Sequence, residues 1–312
     1  MKQLKTQKIG LALGSGSARG WSHIGVIKAL HELGIEPDIV CGTSIGALVG
    51  GMYATGHLET LETWILSLDK REIIKYLDIN LLTGGGFVEG KSIISFFEKQ
   101  MGDYEIELLE KTFASVSTNM DTGKEIWIQS GSMLESIRAS MALPGLFTPV
   151  YREGEWLVDG GIVNPVPISV CRALGADKVI AVNLNGDIVG KHSRNKAQSS
   201  IQTQGVSPEE TLISRFADKV KGKANHYFPE FFEDSLQSPG LFDVMASSIN
   251  IMQDRITRSR MAGDPPDILL SPKLSNIGLM DFDKAPEAIK AGEDAIHQVA
   301  SYLLELNSTT RN

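Results

Sequence analysis

The chain is expected to fold as an α/β three-layer sandwich, a mostly parallel central sheet flanked by helices. Three observations carry that expectation. Short apolar runs bounded by Gly, Asp and Asn alternate with longer segments of helical period along most of the 312 residues. Several of the short runs are apolar throughout, as strands buried on both faces of a sheet are. The first two runs also pass through a Gly/Ser turn straight into a helical pattern, the unit from which parallel sheets are built.

Taken in order, "KIGLAL" (8–13) is the first strand and 20–33 the first helix. "DIVCG" (38–42) follows, then helical periodicity over 45–67 and 91–101. "TFASVST" (112–118) and "KEIWIQ" (124–129) read as strands, and 134–142 as a helix. Within "SIRASMALPGLFTPV" (136–150) the pair Pro144-Gly145 breaks that helix. "WLVDGG" (156–161), "KVIAVNL" (178–184) and "DILLSP" (267–272) complete the strands, with helices over 167–174, 241–262 and 285–306. From Gly186 to Glu210 the chain is polar, rich in Ser, Gln and Asn, and cannot bury enough surface to offset its ordering entropy. Phe216, Tyr227, Phe228, Phe231 and Phe232 crowd just behind it. The expected organisation is one domain, 1–312, carrying a mobile or lid-like insertion at about 186–240.

A net charge of −8 argues against a nucleic-acid binder, whose phosphate contacts need a Lys/Arg surplus. It also gives no overall attraction to anionic membranes. The N-terminus has too short an apolar run for a signal peptide, and no stretch approaches the ~20 apolar residues of a membrane span. Cys41 and Cys171 sit in apolar contexts without metal-ligand spacing, as buried thiols of a reducing compartment do. A cytoplasmic protein without a metal is expected.

Two Gly/Ser turns carry the candidate chemistry. In "LALGSGSARGWSHIGVIKAL" a strand meets a helix through residues 14–20, exposing backbone N–H groups at a helix N-terminus. A dinucleotide site is a rival, since Glu36 or Asp38 lies at about the right distance for a ribose. The third glycine of G-x-G-x-x-G, however, would fall on Arg19. A plain tight turn and an oxyanion site are the other readings. In "CGTSIGALVGG" Ser44 stands at the apex between strand and helix, with Gly42 and Gly46 two residues either side. That is the context of a nucleophile elbow, where a strained serine needs neighbours without bulk. The N–H of Ile45 then faces a developing oxyanion.

Ser44 needs a base. None of the six histidines, His23, His31, His57, His192, His226 and His297, holds the position of a late loop residue after a strand. "WLVDGGIVNPVP" offers Asp159 instead, at a strand end and followed by Gly160 and Gly161. The bland alternative is a turn, where Asp-Gly is common.

Together, "GSGSARG", "GTSIG", "ASMALPGLFTPV" and "DGGIVNPVP", in this order and separation, resemble the bacterial patatin-like phospholipases. The resemblance covers about 8–184 closely and returns more loosely over 250–272. It implies hydrolysis of acyl esters of phospholipids and other lipids through an acyl-enzyme, without metal or cofactor. It implies Ser44 as nucleophile and Asp159 as single general base, a dyad without histidine. It also implies an oxyanion hole from the loop Gly14, Ser15, Gly16 and Ser17 with Ile45, the N–H groups of Gly16–Ser17 and Ile45 holding the oxyanion. Arg19, Gly20, Gly42, Gly46, Gly160 and Gly161 support these motifs, Arg19 by satisfying nearby carbonyls. Where the family usually has glycines, this chain has Ser15 and Ser17; both are expected to be tolerated, because the donors are backbone groups.

A free aspartate, of pKa ~3.9, is a weak base for a serine hydroxyl, so Asp159 should be desolvated. The implied partner is a lipid ester in a membrane or micelle, met by a protein peripheral to it. The aromatic cluster at 226–236 is the expected lid or interfacial anchor, core packing being the alternative. Two rival functions stand beside the hydrolase: an NAD(P)-binding oxidoreductase using the 14–20 loop, and a non-catalytic regulatory protein on the same fold. Neither explains why Ser44 and Asp159 are both present.

Overall fold

The computed structural model describes residues 7–68, 72, 91–186 and 241–310. Residues 1–189 and 249–312 form one compact unit, and 190–248 a second. Only 241–248 of the second unit are described, so the expected insertion, with His192, His226, Phe228, Phe231 and Phe232, lies outside the described residues apart from Gly186.

The centre of the first unit is β1 (Ile9–Leu13), buried along its whole length. β1 pairs in parallel with β2 (Ile39–Thr43) on one side and with β7 (Lys178–Val182) on the other. β2 continues in parallel to β3 (Thr112–Asn119), and β7 to β8 (Ile268–Leu270). Beyond β3 the sheet turns antiparallel, with β4 (Glu125–Ile128) and β6 (Glu155–Asp159) on β3, and β5 (Val150–Arg152) on β6. The order β5-β6-β3-β2-β1-β7-β8 places the reversal of strand order between β1 and β7. Sites in open α/β sheets form outside the carboxyl ends of strands flanking such a reversal.

Period-two alternation builds the three layers. Leu11, Leu13, Val40, Phe113, Ile180 and Val182 join one core with the helices α1 (Ser22–Glu32), α2 (Ile45–Ala54) and α8 (Ala285–His297). The intervening residues Ala12, Cys41, Ala114, Val116 and Ala181 meet Val170 and Cys171 of α6 (Ile168–Ala173) on the opposite face. Cys41 and Cys171 are both free and buried there. Burial, with Cys171 beside it, pushes the Cys41 thiol well above its ordinary pKa. Each fully buried aliphatic side chain is worth ~1.5–3 kcal/mol, so both layers contribute to holding the sheet.

The elements depart from the expected ones at turns. The 45–67 periodicity is two helices, α2 and α3 (Leu58–Ser67), broken where Gly56 takes φ 77°. The 285–306 segment divides likewise into α8 and α9 (Ala300–Thr310). β5 is an addition to the expected strands: it forms a hairpin with β6 through Glu153 and Gly154, both at positive φ (50° and 90°), the pairing a tight hairpin turn requires. α4 (Lys91–Met101), α5 (Met133–Ser140) and α7 (Leu241–Gly263) fall where the periodicity puts them.

Candidate active site

Ser44 follows the last residue of β2 and precedes the first of α2, at φ 58° and ψ −123°. A non-glycine residue there is strained by on the order of 1–3 kcal/mol, so its surroundings must fix it. The Ser44 N–H donates to Ser140 Oγ at 2.9 Å, and the Ser140 hydroxyl donates in turn to the Val116 carbonyl at 2.6 Å. Thr43 Oγ1 donates to the Asn164 carbonyl at 2.9 Å. A Cβ at position 42 would stand 2.3 Å from the Gly46 carbonyl oxygen, and one at 46 would stand 2.2 Å from that of Leu13. Both glycines are therefore fixed by backbone packing.

Asp159 ends β6. Strand register brings it level with the elbow: Thr43 pairs with Val116, and Ser117 pairs with Asp159. The Ser44 hydroxyl donates to Asp159 Oδ2 at 2.6 Å, and the Gly161 N–H donates to Oδ1 at 2.6 Å. The Asp159 N–H donates to the Ala142 carbonyl at 3.0 Å, and Thr118 Oγ1 to the Asp159 carbonyl at 2.9 Å. The carboxyl is buried, 1 % exposed. Burial raises its pKa from 3.8 to about 6, against the lowering effect of the Ser44 and Gly161 hydrogen bonds. A carboxylate so placed is a better base than one in water.

The 14–20 loop supplies the opposite wall. Gly14 N–H donates to the Val182 carbonyl (3.1 Å) and Ser15 N–H to that of Pro165 (2.8 Å). Gly14 and Ser15 therefore cannot give amide donors to an oxyanion, a correction to the expected hole. The N–H groups of Gly16, Ser17 and Ile45 have no acceptor among the described residues. Ser17 sits at φ 53°, a position a glycine would hold without strain. Arg19, 1 % exposed, donates through Nε to the Gly16 carbonyl at 3.2 Å and through a terminal nitrogen to Asn250 Oδ1 at 2.8 Å. Burial lowers its pKa to about 10, so it stays charged at neutral pH behind the loop. Gly20 lies against Ile45, where a Cβ would come 2.3 Å from its side chain.

Ser44, Asp159, Ile45, Gly16 and Ser17 all line one cleft of about 860 Å³, including its space open to solvent. Its walls are largely apolar, with Trp21, Leu48, Trp64, Leu143, Leu146 and Phe147 among them. The broken segment after α5 supplies the last three. No histidine lines the cleft among the described residues. His23 is buried and bound to the Gly14 carbonyl at 2.8 Å, its pKa lowered to about 4 by burial. His31 and His57 pair with Tyr53 and Tyr104 (2.9 and 2.8 Å), and His297 is exposed on α8. Ser140, His23 and Gln253 are site residues that sequence reasoning does not single out. His23 and Ser140 act through backbone atoms, a role without a spacing signature, and Gln253 lies on α7, which also lines the cleft.

Residues 11–172 match the family model described as patatin-like phospholipase. The chain belongs to the patatin-like phospholipase family. NTE family proteins of Mycobacterium tuberculosis and Mycobacterium bovis are each 32% identical to it over 321 residues, 91% of this chain and 89% of theirs. A lysophospholipase of Emericella nidulans is 35% identical over 310 residues; this patatin-like chain spans 18% of that protein's length. Family membership supports a lipid hydrolase. Among the described residues no group of three His, Cys, Asp or Glu is placed to hold a metal ion, and no helix is long and apolar enough to cross a membrane.

Proposed function

We propose that this patatin-like protein is a serine acyl hydrolase that cleaves acyl esters of phospholipids or related lipids through an acyl-enzyme. The observation that carries the proposal is the 2.6 Å hydrogen bond from Ser44 Oγ to a buried Asp159, inside an apolar cleft that also holds unengaged amides. In acylation Ser44 Oγ attacks the ester carbonyl carbon while its proton passes to Asp159 Oδ2. The N–H groups of Gly16, Ser17 and Ile45 hold the oxyanion, each worth ~10²–10³ in rate at comparable sites. Collapse breaks the bond to the alcohol oxygen, which takes the proton from Asp159. In deacylation water attacks, its proton moves through Asp159 to Ser44 Oγ, and the fatty acid leaves.

The apolar walls suit an acyl chain, and the name of the Emericella relative points to monoacyl phospholipids as one substrate class. Such substrates sit in micelles or membranes, so a cytoplasmic protein peripheral to the bilayer fits the reading. The experiment is covalent labelling: a fluorophosphonate should modify Ser44, located by mass spectrometry, and Ser44→Ala should take no label. A label on any other residue would end the proposal.

A further inference from the structure

In the proposed reaction Asp159 serves a second oxygen besides Ser44 Oγ. It protonates the departing alcohol oxygen in acylation and takes a proton from water in deacylation. Microscopically these are one position, used in turn by the leaving oxygen and by the attacking water.

Two polar side-chain atoms and one oxygen of the Asp159 carboxyl crowd together around Gly161. Gln253 Nε2, Asp159 Oδ1 and Ser15 Oγ lie 2.5, 2.9 and 3.1 Å from the point where a Cβ on residue 161 would stand. That crowding leaves no room for a side chain at 161, and Ser15, Asp159 and Gln253 all line the cleft. The Ser15 hydroxyl is buried, at 2 % residue exposure, and has no hydrogen-bond partner among the described residues. Gln253 is 6 % exposed, and its Oε1 accepts from Asn185 Nδ2 at 2.9 Å. The reverse orientation of the Gln253 amide would aim an acceptor at the Asp159 carboxyl. The NH₂ group therefore faces the dyad.

A hydroxyl and an amide kept beside the nucleophile in a largely apolar cleft need a polar partner. We propose that Ser15 Oγ and Gln253 Nε2 seat the oxygen that exchanges a proton with Asp159: the alcohol oxygen of the ester first, then the hydrolytic water. The inference rests on the acyl-enzyme reading of Ser44 and Asp159. It also gives Ser15 a task that a tolerated replacement of a loop glycine would not have.

The test uses two esters of one short acyl chain, a p-nitrophenyl ester, whose phenolate departs without protonation, and a glyceryl ester, whose alkoxide does not. Acylation is followed with enzyme in excess, and deacylation by the decay of acyl-Ser44 in intact-protein mass spectra. In Ser15→Ala and Gln253→Met, p-nitrophenyl acylation should stay within about twofold of wild type. Decay of the acyl-enzyme and acylation by the glyceryl ester should each slow about tenfold or more, the size of one hydrogen bond's loss in the transition state. Ser15→Ala removes one oxygen atom and leaves the loop's backbone bonds in place, so it carries the test should Gln253→Met fold poorly. Equal slowing of both esters in both steps, or no slowing in either, would overturn the seat. Absence of any acyl-Ser44 in the wild type would overturn the dyad reading itself, and the seat with it.

Discussion

Asp159→Asn separates what the buried carboxyl does in the proposed reaction from what its charge does to the fold. In the folded chain the group titrates near 6, against 3.8 ordinarily, because burial disfavours its charged form. Between those values the folded chain binds a proton that the unfolded chain has released, so the contribution of Asp159 to stability falls as pH rises through the window. At 1.36 kcal/mol for each pKa unit, the loss above pH 6 is about 3 kcal/mol. Asparagine carries no charge yet can reproduce both contacts, its Oδ1 accepting from Gly161 N–H and its Nδ2 donating to Ser44 Oγ, which now accepts.

The variant should therefore be inactive and more stable. Hydrolysis of a p-nitrophenyl ester should fall at least about a hundredfold, the lower end of general-base effects. At pH 8 its melting temperature should exceed that of the wild type by on the order of 5 °C for a chain of this size. The gap should close as pH is lowered to about 4, where the wild-type carboxyl is protonated. The assay is calorimetry of both proteins across pH 4–8. A variant less stable than wild type at pH 8, or a gap independent of pH, would refute the argument from burial. In the wild type the same titration predicts that kcat/KM rises through about pH 6 and levels off above it.

Gly46→Ala should abolish activity and lower soluble yield, because its Cβ meets the Leu13 backbone at 2.2 Å and cannot be accommodated by a side-chain shift; wild-type turnover would contradict this. Ser17→Gly should leave activity within about tenfold of wild type, since the donor is the backbone N–H and the positive φ suits glycine; complete loss in a folded variant would make the hydroxyl part of the hole. His297→Ala should change kcat by less than about twofold, the ring being exposed on α8 and absent from the cleft lining, and a loss nearer a thousandfold would reveal a triad. Ser140→Ala should cost about 1–3 kcal/mol in urea unfolding, since it leaves the buried Val116 carbonyl and the Ser44 N–H without their partner.

How much of the fold and the site is legible in the sequence depends on the range of each cause. The buried strands announce themselves, because β1, β2 and β7 are apolar on both faces and the residues alone say so. The elbow is legible for a similar reason: Gly42, Ser44 and Gly46 fall within five residues, and steric need acts locally. The breaks at Thr55–His57 and after His297 escape such a reading because helical period continues across them and tertiary packing decides where the helix stops. The β5–β6 hairpin has a cue in the Glu153-Gly154 pair, overshadowed by the helix break just upstream. That the amides of Gly14 and Ser15 are already engaged is not legible in the sequence. Gly14 and Ser15 are occupied by the carbonyls of Val182 and Pro165, about 150 residues further along the chain, and no local pattern encodes those partners.

The same contrast explains why Ser44 can hold so unfavourable a backbone conformation. Ser44 is anchored by Ser140 from α5, its neighbour Thr43 by the Asn164 carbonyl, and its carboxylate partner by the register of β3 with β6. These anchors come from separate stretches of chain, and only complete folding brings them together. A strain of on the order of 1–3 kcal/mol at Ser44 is small beside the buried surface that assembles them. The Ser44 hydroxyl is then aimed at Asp159 before any ester arrives. In the proposed reaction the proton path from Ser44 to Asp159 and the amides of Gly16, Ser17 and Ile45 need no rearrangement at the moment of attack, which is where preorganised dipoles gain most over water.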